Sequence, residues 1–214
     1  LLDKEMDNEL MCYTDRVPYN EEDCNKDIIQ YIETKTPFTF VHDTPFRSGM
    51  ISLIYMLKHK ETDEKYILKM KRKSIKEKLD KSIYRMNSLL SIISIFVFWW
   101  SRIDLSETIV KHFSVLKHQL DFSKEKENMN IFYTNFEHID YVKIPKFIDD
   151  TPALNDEYII MEYIDGKSFS EVSKDNYITY AKMVTKMGLT CIMVNGTAHG
   201  DLHAGNIIFI ENDE

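Results

Sequence analysis

Between Phe38 and Lys71 the chain carries three short runs, FTFV, ISLIYMLK and KYILKMK, that leave little choice of local structure. They are rich in β-branched and aromatic residues, which pack well on a pleated surface, so they read as strands. HKETDE separates the last two and reads as a hairpin turn. The rest of the chain is organised around this unit. Residues 1–36 are polar, acidic and expected to be helical, with Asp23 or Asn25 capping a helix through Ile32. Residues 74–138 are helical in composition. IPKFIDD (144–150) and EYIIMEYI (157–164) read as two further strands joined around Thr151 and Pro152. In 170–195 the positions Tyr180, Val184, Met187 and Cys191 fall at i, i+4, i+7 and i+11 and predict a helix. A polar turn then leads to IIFI, a last expected strand. No internal repeat is evident.

Composition narrows the classes. With 43% hydrophobic and 29% charged residues, 214 residues suffice for a real core, and 6 glycines and 5 prolines exclude collagen-like or low-complexity chains. A formal charge of −8 argues against nucleic-acid binding driven by bulk charge, and no nucleic acid is expected as a partner. Cys12, Cys24 and Cys191 are odd in number and widely spaced, so neither a disulfide framework nor a C-x-x-C knuckle is read, and a reducing, intracellular compartment is expected. Organelle targeting stays open. His199 and His203 have the i, i+4 spacing of a zinc pair, but no H-E-x-x-H accompanies them. No charge interrupts 86–101, where 89–100 reads LLSIISIFVFWW. These sixteen residues fall short of the roughly 20 that a spanning helix needs. Two readings remain: a buried helix, or a surface for membrane, lipid or a partner with Trp99 and Trp100 at the water boundary.

The strongest chemical signal is HGDLHAGN at 199–206, between an apolar helix and IIFI. Asp201 and Asn206 have the H-x-D-x-x-x-x-N spacing of a kinase catalytic loop. A carboxylate must reach an acceptor hydroxyl or water as base, and an amide oxygen must reach a magnesium ion between phosphates. Gly205 lets the chain turn beside Asn206, and His199 would brace the loop. Gly200 stands where such loops usually carry arginine, so control through an activation-loop phosphate is not supported. Lys69, in ILKMK after the hairpin, matches the position of the phosphate-binding lysine of V-A-I-K and calls for an acidic partner on a helix. RSGMIS (47–52) sits where a nucleotide-covering loop would lie, with Ser48, Gly49 and Met50 as candidate backbone contacts; an ordinary hairpin is the competing reading. The strand ending in Met161, Glu162, Tyr163 and Ile164 is similar to a hinge where adenine docks, against the alternative of a plain core strand.

The order of these segments predicts an α+β, protein-kinase-like two-lobed fold. Residues 1–36 form an N-terminal helical extension. Residues 37–164 form a small antiparallel N-lobe with a helical insert at 74–118, and 165–214 begin a helical C-lobe containing the catalytic loop. In detail the chain resembles the UbiB/AarF/ADCK atypical kinase-like family. DRVP (15–18) resembles that family's segment ahead of the lobe, PFRSGMISLIY (45–55) its nucleotide loop and following strand, and ILKMKRKSI (67–75) its lysine strand. QLDFSKEKEN (119–128) is similar to its E-L-D-F-x-x-E-x-x-N helix, IIMEYIDG to its hinge and HGDLHAGN to its H-A-D-P-H-P-G-N loop. The loop by itself is shared with aminoglycoside- and choline-kinase-type phosphotransferases; the helix and hinge segments favour the UbiB-like reading.

The resemblance implies ATP and Mg2+ as cofactors. It implies Lys69 as the phosphate-binding lysine, Glu125 as its ion-pair partner, Asp201 as the catalytic aspartate and Asn206 as a metal ligand. Asp121 matches the aspartate of the family's E-x-D motif, whose glutamate is Gln119 here, and the family's alanine-rich loop is replaced by Arg47–Met50. The family's K-x-G-Q and D-F-G motifs do not occur and are expected before residue 1 and after Glu214. The chain is therefore expected to be a window of a longer protein, poorly active by itself. The family's role near membranes in quinone and lipid metabolism lends weight to the interaction reading of 86–101. The expected function is an atypical kinase or ATPase acting on an unknown acceptor. A small-molecule phosphotransferase and a nucleotide-binding pseudokinase are the alternatives.

Overall fold

The computed structural model describes residues 17–97, 117–148, 156–198, 200 and 202–211, which divide into two compact units. The first gathers the described residues within Leu1–Lys126 and Asp149–Ile160, the second those within Glu127–Ile148 and Met161–Glu214.

The first unit is built on the predicted hairpin. Strands β1 (Phe38–Phe40), β2 (Arg47–Ser48), β3 (Ser52–His59) and β4 (Lys65–Lys71) precede β5 (Tyr158–Glu162), in the sheet order β1-β3-β4-β5 with β2 also on β3. β3 and β4 pair antiparallel over their length, from Ser52↔Lys71 to Lys58↔Lys65. Their alternation divides the faces: Leu53, Tyr55, Leu57, Leu68 and Met70 are buried in the core, while Ile54, Met56 and Lys69 lie on the other side. Helix α1 (Lys26–Lys35) buries Ile28 and Ile32. Phe38 and Phe40 of β1 meet Tyr66 and Tyr55 edge-on, with ring centroids 5.0 and 5.3 Å apart.

The expected cap of α1 takes a different form. Asn25 occupies the N-cap position without a side-chain hydrogen bond to the helix. Asp23, at the end of a single 3-10 turn (Glu21–Asp23), folds its carboxylate back onto the Asn20 N–H and pairs with Arg72 and Lys78. A buried carboxylate gains more from two cations than from a helix end. Helix α2 (Ile75–Val97) follows β4, and none of its described side chains is buried; Tyr84, Met86, Leu89 and Ile92 are exposed. Among the described residues no helix is long and apolar enough to cross a membrane. Trp99 and Trp100 lie outside the described residues. Helix α3 (Phe122–Phe136) starts in the first unit and ends in the second.

The second unit holds α4 (Tyr177–Met193), which places Tyr180, Val184, Met187 and Cys191 on its least exposed side. Two expected strands are not formed among the described residues. IPKFIDD contributes one bridge, Phe147↔Met161, and IIFI one bridge, Lys167↔Phe209. An apolar run becomes a strand only where a neighbour in register takes up its N–H and C=O groups. The helix of 170–195 also starts late, because 3-10 turns at Phe169–Glu171 and Lys174–Asn176 precede it.

Candidate functional site

Lys69 owes its position to strand periodicity. Leu68 and Met70 on either side are fully buried, so Lys69 leaves the sheet on the opposite face, in register with Ile54. Helix α3 brings its first turn to that face. Asp121 accepts from the Lys124 N–H (3.2 Å), as an N-cap residue does. Asp156 accepts from the Phe122 N–H (3.2 Å) and lies 3.3 Å from the Lys71 ammonium, which fastens the start of α3 to β4. One turn in, Glu125 Oε1 lies 2.6 Å from Lys69 Nζ, with the Glu125 side chain 32% and the Lys69 side chain 25% exposed. The Phe122 ring lies 5.2 Å from Lys69 Nζ and 4.9 Å from Lys71 Nζ, adding cation–π attraction. The result is an ammonium with one donor anchored to a carboxylate, placed to offer its positive charge to an anionic group.

The connection between β2 and β3 holds Ser48, Gly49 and Met50. Ser48 is buried and turned inward: its hydroxyl donates to the Val17 carbonyl (2.8 Å), and the Val17 N–H donates to the Ser48 carbonyl (2.8 Å). The Gly49 N–H closes the turn onto Ser52 O at 2.9 Å, and Met50 is exposed. A Cβ on Gly49 would meet nothing nearer than Ser52 O at 3.6 Å, so this turn does not demand glycine.

The other candidates belong to the second unit. Glu162 pairs with Lys143 (2.6 Å), and its backbone N–H donates to Lys146 O (2.9 Å). Tyr163 donates to Asp165 (3.4 Å); burial pushes its phenol up, and the charge of Asp165 adds to the shift. Ile164 is half-buried. Gly166 follows, and here glycine is required: a Cβ would stand 2.5 Å from Ile208 Cγ2 and 2.8 Å from Phe209 O. Asn206 is exposed and ends a 3-10 turn, Ala204–Asn206, whose cap is His203: its Nδ1 accepts from the Gly205 N–H at 3.1 Å. Gly200 has φ +75°, a conformation glycine adopts without strain, which accounts for glycine where such loops usually have arginine. Asp201 and His199 lie outside the described residues. Among the described residues no group of three or more His, Cys, Asp or Glu is arranged to hold a metal ion.

The structure thus brings Lys69 and Glu125 into contact in the first unit, and places Glu162, Tyr163, Ile164 and Asn206 in the second. Sequence reasoning missed the capping role of His203 and the pairing of Asp23 with Arg72. The capping role of His203 had a local signal, a side-chain acceptor just ahead of Ala-Gly-Asn. Asp23 and Arg72 had none, because their partners are distant in the chain.

Comparison with known proteins agrees with this geometry. The ABC1 atypical kinase-like domain matches residues 14–214. A probable protein kinase UbiB from Shewanella loihica is 24% identical over 97% of this chain and 39% of its own length. The probable serine/threonine-protein kinase abkC of Dictyostelium discoideum is 24% identical over 84% of this chain and 26% of its own. Among solved structures, the complex of Rv3197 with erythromycin from Mycobacterium tuberculosis superposes with a TM-score of 0.70 at 15% identity, covering 87% of this chain and 49% of that one. The chain therefore has a kinase-like α+β fold, comprising the small-sheet lobe and the start of the helical lobe. It spans about two-fifths or less of the length of the curated relatives it matches.

Proposed function

The chain belongs to the ABC1 atypical kinase-like family, and from that premise we propose that the intact protein binds Mg-ATP and either hydrolyses it or passes its γ-phosphoryl group to an acceptor. The observation that carries this reading is the 2.6 Å pair between Lys69 and Glu125. A part-exposed ammonium on the sheet face opposite the core, held by a carboxylate from a helix, suits the α- and β-phosphates of a nucleotide. Lys69 would bind those phosphates as a point charge, and Glu125 would keep its ammonium from swinging away. The turn at Ser48–Met50 would cover the phosphates, and the backbone of Glu162–Ile164 would receive the base. Asp201 would accept the proton of the attacking hydroxyl or water. Asn206 would supply one oxygen to magnesium, which when bound neutralises charge on the β- and γ-phosphates.

In the intact protein, Lys69→Ala and Asp201→Asn are each expected to abolish Mg-ATP-dependent turnover, read as phosphate release or label transfer. Turnover undiminished in both variants would overturn the assignment. Nucleotide binding that survives while neither wild type nor variant turns over would instead favour a pseudokinase.

A second reading concerns helix α2. Its exposed Tyr84, Met86, Leu89 and Ile92 favour contact between the 86–101 stretch and a membrane or lipid surface. Co-sedimentation with liposomes that is unchanged by Trp99→Ala plus Trp100→Ala would count against it.

A further inference from the structure

Arg72 lies three residues after Lys69 and is nearly buried, with its side chain 8% exposed. Its guanidinium serves four acceptors from two segments of the chain. Nε donates to the Gly49 carbonyl (3.0 Å), in the turn between β2 and β3. Nη1 donates to the Pro18 carbonyl (3.0 Å) and to Asp23 Oδ2 (3.1 Å), and Nη2 donates to the Val17 carbonyl (3.1 Å). The backbone strengthens the same junction. Arg72 N–H donates to Ile51 O (2.9 Å), Lys73 N–H to Asp23 O (2.8 Å), and the Val17 and Ser48 backbones are tied at 2.8 Å. Lys78, from the first turn of α2, completes the cluster with a 2.6 Å bond to Asp23 Oδ1. Burial pushes the Asp23 carboxyl up, but the hydrogen bonds from Lys78 and Asn20, with the charges of Lys78 and Arg72, outweigh it and hold the group below the usual carboxylate range.

A planar fork with donors on several edges can satisfy carbonyls arriving from different directions; an ammonium cannot hold that geometry. A single exposed pair on a lobe surface would contribute little. Here the guanidinium is desolvated, and each of its partners is a backbone carbonyl or a buried carboxylate. Removing it would take this donor from the Gly49 and Pro18 carbonyls, leave the Val17 carbonyl with the Ser48 hydroxyl alone, and leave Asp23 with one cation fewer.

We propose that Arg72 is a positioning residue that clamps the Ser48–Met50 turn to the 17–23 segment, so that the shape of the turn over a bound nucleotide depends on where that segment lies. The proposal rests on the nucleotide-binding reading of the turn. Its consequence is directional. Whatever pulls on the chain ahead of Val17 reaches the turn through the Val17 and Pro18 carbonyls, and a nucleotide that orders the turn orders the 17–23 segment in return.

The test uses the intact protein with Arg72→Ala, Arg72→Lys and Asp23→Asn, followed by backbone hydrogen exchange and by Mg-ATP kinetics. In Arg72→Ala, exchange in 46–52 and in 17–23 should rise together by about tenfold or more, the loss of charge-assisted bonds at both ends. The KM for ATP should rise about tenfold with kcat within about twofold, since the turn covers the nucleotide but does no chemistry. Arg72→Lys should fall between wild type and Arg72→Ala in both measures. Asp23→Asn leaves the Gly49 bond in place, so it should loosen 17–23 more than 46–52. These variants decide the matter even where Arg72→Ala fails to fold. Exchange at 46–52 unchanged in Arg72→Ala or Arg72→Lys would overturn the proposal, as would a fall in kcat at unchanged KM, the sign of a general loss of folded enzyme. If wild type shows no Mg-ATP turnover, the proposed function fails, and the exchange comparison still upholds or overturns the clamp.

Discussion

The β3–β4 hairpin and the two bridge segments of the second unit start from similar material and end differently. KYILKMK and ISLIYMLK pair residue for residue, whereas the described residues of IPKFIDD and IIFI manage one bridge each. The difference lies in the neighbour. β3 is flanked by β4 on one side and by β1 and β2 on the other, so its backbone groups are engaged along its length. Phe147 instead meets only Met161, near the end of β5, and Phe209 meets only Lys167 in irregular chain. Apolar side chains favour burial in both kinds of segment, but ladder formation requires a neighbour that stays in register along the strand.

The contrast makes graded predictions. The largest effect is expected in the hairpin core: Leu57→Ala, at a fully buried position between paired strands, should cost about 4 kcal/mol by chemical denaturation, because regular neighbours cannot collapse into the cavity. A loss below about 1 kcal/mol would mean that the hairpin repacks as readily as a loop.

Next come two glycines, Gly49 in the turn leading into β3 and Gly166 beside the Lys167↔Phe209 bridge. Gly166→Ala should cost about 2 kcal/mol, since the new methyl meets Ile208 and the Phe209 carbonyl across the Lys167↔Phe209 bridge. Gly49→Ala should shift stability by no more than about 0.5 kcal/mol, because its Cβ finds ordinary contact. Equal effects at both sites would show that the bridge gives way as easily as the turn.

Glu125→Gln should lower stability by about 1 kcal/mol or less, because the pair is part-exposed and screened, yet it should reduce Mg-ATP turnover sharply by freeing Lys69. Thermal melts and initial rates on the same preparations separate the two effects.

The smallest effect is the pH dependence carried by Asp23. Its carboxyl is depressed in the folded protein, so the stability it contributes is complete above the ordinary carboxylate value of about 4 and is lost as pH falls through the lower folded value. Asp23→Asn should flatten the acid limb of a stability-against-pH curve relative to wild type. An acid limb of unchanged slope would remove Asp23 from the account.

These elements also mark what could be read in advance. The hairpin, α3 and α4 were legible, because β-branched and aromatic content, helical composition and a 3.6-residue period are properties of neighbouring residues. The bridge segments misled for the same reason: they were read as strands from local composition, and the missing information was how far a neighbour would stay in register with them. The cap expected from Asp23 was a sound local inference that lost to stronger partners, Arg72 and Lys78, which lie 49 and 55 residues away. His203 had a local signal that went unused. Lys69 and Glu125 were named on resemblance, and the geometry shows how they meet: Asp156 and Asp121 fix the first turn of α3 over the face that strand alternation assigns to the lysine.

By itself the sequence determined the alternation that sends Lys69 out of the core, the glycine at 200 with its left-handed backbone, and the order of strands and helices that marks the kinase-like family. Each depends on residues within a few positions of one another. Only the tertiary structure decided which carboxylate meets which cation, and that Arg72 gathers the carbonyls of Val17, Pro18 and Gly49. The physical reason is that a buried guanidinium must find its acceptors wherever the fold delivers them, and that delivery is not encoded in any one stretch of the chain.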